Sequence, residues 1–429
     1  MTSVWRSRML VPMVAGVAGA AVSSVAITTP SVWFDEAATV SGATRSIPEL
    51  LHMLDKVDAV HGLYYMLMHV VFGAAGYTPL SLRLVSAFAV GATAAVVVVL
   101  DRQLRPGSMG IVASSVFCVL PRVTWMGGEG RSFALTALVA GILTIALLFA
   151  LRRKTVLPWV LYAVVAVVAL VPFALVVVTQ GSHLPSMPEL DAGAVREVLV
   201  EQWFGSSVPL AIVAGVLLAL GVRDGWLALP ALGVPTLAVL AGGLVHPELH
   251  QSRYLGMVTP FVALGIAAGI AAIPWRSLGV VTVALIVGLG ISQLALERSA
   301  DAKKDTSWER VAAIVAQESA RNGPASREGV VFGELAPHTA ATARVIKIAY
   351  PDAFKGLRDV TIDRSGAQIG ELWSAYSPLD PASSTLAGLD SVLLLGTNTA
   401  ADAALLHNSG FTLERSWDED GVQVVELRR

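Results

Sequence analysis

Charge is scarce in this chain: Asp, Glu, Lys and Arg together make up 14% of it, where a soluble domain carries roughly 25%. That deficit excludes a wholly soluble globular protein. Lysine is rarer still, far outnumbered by arginine. Cysteine is reduced to Cys118, which sits inside an apolar run, so no disulfide can form within the chain and cysteine usage identifies no redox compartment. Phosphate-cradling signatures are missing too: there is no Gly-x-Gly-x-x-Gly and no Gly-x-x-x-x-Gly-Lys-Ser/Thr. The net charge of −2 singles out no class of partner.

What is present is apolar sequence, 55% of the chain by count. Residues 9–29, 81–100, 109–126, 132–151, 156–178, 208–221, 226–245, 254–272 and 277–294 are near-continuous apolar runs. A helix needs about 20 such residues to cross the hydrocarbon core. The runs predict a polytopic α-helical membrane protein with about nine spans, of which 208–221 is the weakest. From about residue 301 the composition becomes that of a soluble domain, so the expected division is 1–298 for the membrane part and 299–429 for a small α/β domain.

Basic residues in short loops mark the cytoplasmic side. Arg6 and Arg8, then Arg102 and Arg105, then Arg152, Arg153 and Lys154, then Arg223, then Arg276 fall in alternate loops. With all of them inside, the nine spans alternate without conflict. The N-terminus is then cytoplasmic, the first run is an uncleaved span rather than a signal peptide, and 30–78, 127–131, 179–207, 246–253 and everything after 295 face outward across a plasma membrane. This topology requires residues 62–75 to be too short to span; they are expected to lie along the outer interface as a helix. Residues 48–56 form a second interfacial candidate, with Leu50, Leu51 and Leu54 on one face.

The segment 301–429 alternates helical and strand-like runs. Residues 308–319 and 400–407 have helical spacing, and 330–332, 360–362, 391–395 and 422–427 read as short strands. The pattern predicts a small α/β domain of Rossmann-like flavour. It has 18 Asp and Glu against 13 Lys and Arg. That acidic balance argues against docking to nucleic acid or anionic lipid; a cap that shapes acceptor access is the expected role, with a catalytic role the alternative.

Residues able to do chemistry gather in the outward loops. Trp33-Phe34-Asp35-Glu36-Ala37 sets two adjacent carboxylates just past the first apolar run. Such a pair can deprotonate an acceptor hydroxyl or hold a cation, or it can simply suit the first turn of a helix. Asp58, His61, Tyr64 and Tyr65 close the same loop and fit a polar pocket, although tyrosine at a membrane interface is ordinary. Glu129-Gly130-Arg131 forms a tight turn in which the two charges either pair or leave Arg131 to grip a phosphate. Arg253-Tyr254 puts a cation at an outer helix mouth, where either Glu248 or a lipid phosphate can answer it. His246 and His250 are four apart, but Pro247 lies between them and no third metal ligand is near. No metal or other cofactor is called for by these residues.

In order and placement these motifs resemble the GT-C superfamily of polyprenyl-phosphate-sugar-dependent glycosyltransferases, most of all the bacterial branch related to protein O-mannosyltransferases and lipid A aminoarabinose transferases. The resemblance is carried by Trp33-Phe34-Asp35-Glu36, by Asp58…His61-x-x-Tyr64-Tyr65 with Arg83 soon after, and by Glu129-x-Arg131-x-Phe133. It continues in Arg253-Tyr254-Leu255 with Pro260, and in Trp308-Glu309-Arg310-Val311 after the last apolar run. Gly62 stands where the family has proline, and 155–180 is short by the family's measure.

The resemblance implies that Asp35 activates the acceptor in an inverting transfer, with Glu36 beside it. It implies a donor sugar, with mannose the first candidate, carried on a polyprenyl phosphate. Arg253, Tyr254, Arg131, Glu129, Asp58, His61, Tyr64 and Arg83 are the expected substrate-binding residues. The acceptor would be a glycan, lipid or protein outside the cytoplasm. Two other functions stay open: a transporter or lipid flippase, and a decayed scaffold without activity.

Overall fold

The computed structural model describes residues 3–105, 109–180, 196–225, 229–245, 252–303, 307–323, 326–338 and 341–429. The chain is mostly helical, with a small sheet region towards its C-terminus. It forms two compact units: residues 1–28 with 80–298, and residues 29–79 with 299–429. The loop that follows the first apolar run is therefore grouped with the C-terminal segment, not with the helices next to it in sequence.

In chain order the first helices are α1 (Ser3–Ser24), α2 (Phe34–Ala43), α3 (Ile47–Leu54), α4 (Gly62–Ala75) and α5 (Pro79–Leu104). Next come α6 (Gly110–Val119), α7 (Pro121–Gly127), α8 (Phe133–Arg152) and α9 (Val156–Gln180). Beyond an arm at Glu197–Phe204 lie α10 (Val208–Gly225), α11 (Leu229–Val245), α12 (Thr259–Ala271) and α13 (Arg276–Glu297). The C-terminal segment adds α14 (Trp308–Asn322), α15 (Arg344–Ala349) and α16 (Ala400–Asn408).

Among the described residues of the helical unit, five helices are long and apolar enough to cross a membrane: α5, α8, α9, residues 253–271 and α13. The count reaches seven if each of two bent pairs is one span. The remaining two predicted runs are the shorter apolar helices Met9–Ser24 and Leu229–Gly242. These helices suggest membrane association. α9 buries none of its residues and is apolar all round, a surface that suits hydrocarbon and not water.

The run 109–126 is not one straight helix, as its composition suggests, but two that meet at 67°. Pro121 is the cause. It has no N–H to continue the ladder and disfavours helical geometry at the residue before it, and Leu120 accordingly has ψ 129°. The run 254–272 is also irregular: it opens as a 3-10 helix, Ser252–Val258, before α12 begins. α10 and α12 pack backbone to backbone through Gly221, Gly265 and Gly269. A Cβ at Gly269 would lie 2.0 Å from the Leu217 carbonyl oxygen, which is why small residues four apart serve as helix contacts in apolar surroundings.

The second unit is built on a five-stranded sheet in the order β2-β1-β5-β7-β6. Its strands are β1 (Glu328–Phe332), β2 (Arg358–Asp359), β5 (Ser391–Gly396), β6 (Thr412–Glu419) and β7 (Val422–Arg428); β3 (Ile362–Arg364) and β4 (Ala375–Tyr376) pair separately. β1 runs parallel to both β2 and β5, whereas β7 is antiparallel to β5 and β6. The two central strands are buried along their whole length, as strands covered on both faces must be. Val331, Val392, Leu394, Leu406 and Phe411 form the core.

The predicted strand 360–362 is corrected: the chain switches sheets there, so that β2 joins β1 and β3 joins β4. β6 was not foreseen because it is a largely exposed edge of polar residues. In α3 the buried positions are Leu50 and Met53, while Leu51 is half exposed, a correction to the expected face. The helix starts on a capping box, with Ser46 donating to the Glu49 carboxylate from its backbone N–H at 3.0 Å and its hydroxyl at 2.7 Å.

Candidate functional site

The predicted site residues divide between the two units. Asp35, Glu36, Asp58, His61 and Tyr64 belong to the sheet-containing unit; Arg83, Glu129, Arg131, Arg253 and Tyr254 belong to the helical one.

In the sheet-containing unit, Trp33 is extended and α2 begins at Phe34, so Asp35 and Glu36 occupy the first turn, where the helix dipole favours acids. Glu36 is fully buried and Asp35 half-buried. The turn is fastened by residues from far along the chain. The His338 ring lies flat on Phe34 with centroids 3.9 Å apart, and Trp373 approaches the same ring at 5.0 Å. The Lys303 ammonium stands 5.9 Å from the Trp33 ring centre. The backbone N–H of Val32 donates to the Tyr350 hydroxyl at 2.8 Å. At the other end of α2, Ser41 donates to the Leu372 carbonyl at 2.7 Å, and the buried Arg45 donates to the carbonyls of Glu371 and Leu372 at 2.6 and 3.2 Å. Burial holds the Arg45 guanidinium below its ordinary pKa.

Asp58 has a left-handed backbone, φ 62°. Its carboxylate accepts from the hydroxyl of Tyr65, whose ring centre lies 6.0 Å from that of His61. Tyr65, the neighbour of the predicted Tyr64, is thus the residue joined to Asp58; Tyr64 is buried as well.

In the helical unit, the polar residues concentrate where helices are interrupted. The α6–α7 break, the arm that meets α10 at 99° and the 3-10 turn Ser252–Val258 pack against one another. Non-helical backbone within apolar surroundings is tolerated where it is covered by protein or lines a cavity. Arg122 ties two of these places together. Its Nε donates to the Gln202 carbonyl at 2.7 Å and a terminal nitrogen to the Glu201 carbonyl at 3.1 Å, while the guanidinium lies 5.0 Å from the Trp125 ring centre. The charges that reach it are those of Glu297, Glu197, Arg253 and Glu129. The Thr124 hydroxyl donates to Glu297 at 2.6 Å. Arg298, also buried, donates to the carbonyls of Val25, Ser23 and Thr124.

The predicted residues fall in and around this cluster. Arg253 and Tyr254 are half-buried on the 3-10 turn. Glu129 and Arg131 are buried in the turn between α7 and α8. Arg83 is fully buried and donates to the Ile27 carbonyl at 2.8 Å. Glu248, His246 and His250 lie outside the described residues. Among the described residues, no group of three His, Cys, Asp or Glu side chains is arranged to hold a metal ion.

Sequence reasoning missed Arg122, Gln202, Trp203 and Glu297 in one unit and His338 and Trp373 in the other. A signal existed for Arg122, an arginine set directly after a proline inside an apolar run. None existed for His338, whose role comes from a contact about 300 residues away in sequence. No protein-family model matches the chain, and no curated protein matches it in sequence.

Proposed function

We propose that this protein is a membrane glycosyltransferase that moves a hexose, mannose first among the candidates, from a polyprenyl phosphate to an acceptor on the outer face. In this reading the nine apolar runs are nine spans, the N-terminus is cytoplasmic and the sheet-containing unit is extracytoplasmic. Asp35 takes the proton of the acceptor hydroxyl, the freed oxygen bonds to the anomeric carbon, and the bond to phosphate breaks with its electron pair leaving on the polyprenyl phosphate. Glu36 supports Asp35, and Arg253 with Arg131 holds the phosphate. The observation that supports the reading is the place of Arg253 on the 3-10 turn that packs against the helix breaks, with Arg131 in the neighbouring turn before α8, since a guanidinium keeps its charge on burial and its planar fork suits phosphate oxygens.

The two bent helix pairs favour a second reading, a transporter or flippase, because broken helices mark transport sites. Reconstituted vesicles with radiolabelled polyprenyl-phosphate mannose separate the two. The transferase reading expects label to pass to an acceptor, and Asp35→Asn to slow this by roughly 10²–10⁴-fold. Movement of intact donor across the bilayer, indifferent to Asp35→Asn, would establish the transporter instead.

A further inference from the structure

The arm at Glu197–Phe204 holds polar groups that the reading above leaves unused. Its first five residues form a π-helix, a geometry frequent at functional sites. The chain then turns at Gly205, φ 58°, and enters α10. The backbone of this elbow is well satisfied. Arg122 answers the carbonyls of Glu201 and Gln202, and the Ser207 N–H donates to the Phe204 carbonyl at 3.1 Å. Two of its side chains are not. Gln202 is fully buried, and among the described residues both its Nε2 and its Oε1 are enclosed with no hydrogen-bond partner; the indole nitrogen of Trp203 is in the same state. An enclosed polar atom without a partner is penalised by the full loss of its hydration, and consecutive residues here carry three. A leucine at 202 would fold with less cost, so the amide calls for a reason other than folding.

We propose that Gln202 and Trp203 read the sugar hydroxyls of the lipid-linked donor; this rests on the glycosyltransferase function proposed above. The inventory of unmet groups selects the ligand. An amide offers donors at nitrogen and an acceptor at oxygen, and the indole adds one donor. Phosphate, an acceptor, would serve the donors and leave Oε1 unmet. Neighbouring hydroxyls of a hexose both donate and accept, so a diol edge satisfies Nε2 and Oε1 together while a third oxygen takes the indole N–H. The phosphate and the sugar are thereby recognised by different residues, the arginines and the elbow respectively.

The test compares two probes, polyprenyl-phosphate mannose and the bare polyprenyl phosphate, binding to the full-length protein in detergent. Gln202→Leu is expected to weaken the mannose-bearing probe by roughly 10- to 100-fold and to leave the bare phosphate within about twofold. Trp203→Phe, which keeps a ring and deletes only the N–H, should give a smaller loss of the same kind. Equal losses on both probes, or none on either, would overturn the inference and leave the glycosyltransferase reading standing. A fall in thermal stability of Gln202→Leu with unchanged preference between the probes would overturn it too, by making the amide structural. Parent protein that binds neither probe would bring down the glycosyltransferase reading and this inference with it.

Discussion

Both units bury arginine, but Arg344 of the sheet-containing unit and Arg298 of the helical one are answered differently. In the sheet-containing unit, Arg344 is matched by a carboxylate: it meets both oxygens of Asp359, at 2.6 and 2.8 Å, with each side chain nearly sealed from solvent. In the helical unit, Arg298, Arg122 and Arg83 give their N–H groups to backbone carbonyls beside chain breaks. The first arrangement joins two side chains. The second closes off backbone groups that an apolar medium would leave unmet. The same residue type therefore serves as half of an ion pair at Arg344 and as a cover for backbone carbonyls at Arg298, Arg122 and Arg83, a role that Arg45 of the sheet-containing unit shares.

The largest expected effect tests the cover. Arg298→Met leaves the carbonyls of Ser23, Val25 and Thr124 without its donors, and at about 1–3 kcal/mol per buried group a loss on the order of 4 kcal/mol is expected in detergent unfolding. Because these three acceptors are backbone carbonyls, no second side-chain substitution should restore their donors. A loss under about 1 kcal/mol would break the comparison.

The ion pair should behave otherwise. Asp359→Leu strands a buried guanidinium, with a loss of roughly 3–5 kcal/mol, yet the double variant Arg344→Met with Asp359→Leu should regain most of it. Failure of the double variant to recover would mean that Arg344 also works mainly through Thr342, Thr361 and the Phe332 ring it covers.

A ring contact should matter less. His338→Ala removes the stack on Phe34, a contact worth about 0.5–1.5 kcal/mol, whereas His338→Phe should keep it; thermal unfolding of the three proteins decides.

The smallest effect concerns pH. Burial raises the pKa of Glu426, with the nearby charges of Glu414 and Glu318 adding to it. Its folded-state pKa exceeds the unfolded one, so the folded state is penalised above that pKa and relieved as pH falls through it. Glu426→Gln should therefore be the more stable protein at neutral pH, with the advantage shrinking as the solution is acidified. Asp390 has the opposite sign: its hydrogen bonds with exposed Arg327 lower its pKa, so its contribution is present at neutral pH and fades on acidification through that lowered pKa.

Much of the architecture was legible because long apolar runs have few alternatives. α9 was expected at 156–178 and spans Val156–Gln180, and the central strands β1 and β5 stand where their apolar residues lie. Legibility failed where one residue overrides its neighbours. Pro121 bends a run whose average hydropathy is uninterrupted, and β6 alternates too weakly to be seen because its partner strand supplies the order. The carboxylate turn at Asp35 and Glu36 was legible from its position after an apolar run. The ring that covers Phe34 was not, because stacking between residues so distant in sequence leaves no local trace. The elbow at Gln202 failed for another reason: a lone glutamine in a loop is unremarkable until its burial is known.

The sheet-containing unit is assembled from two pieces of chain, 29–79 and 299–429, and that sets an order on biosynthesis. At roughly 5–20 residues per second, the first piece leaves the ribosome on the order of 10 s or more before the second exists. Until then Phe34, Ser41 and Arg45 lack the His338 ring and the Leu372 and Glu371 carbonyls that they meet in the finished protein. The early piece is therefore made without the partners it has in its final form. A chain that stops before residue 371 never supplies the carbonyls that Ser41 and Arg45 reach, so a defect near the end of synthesis is felt in a segment made near its start.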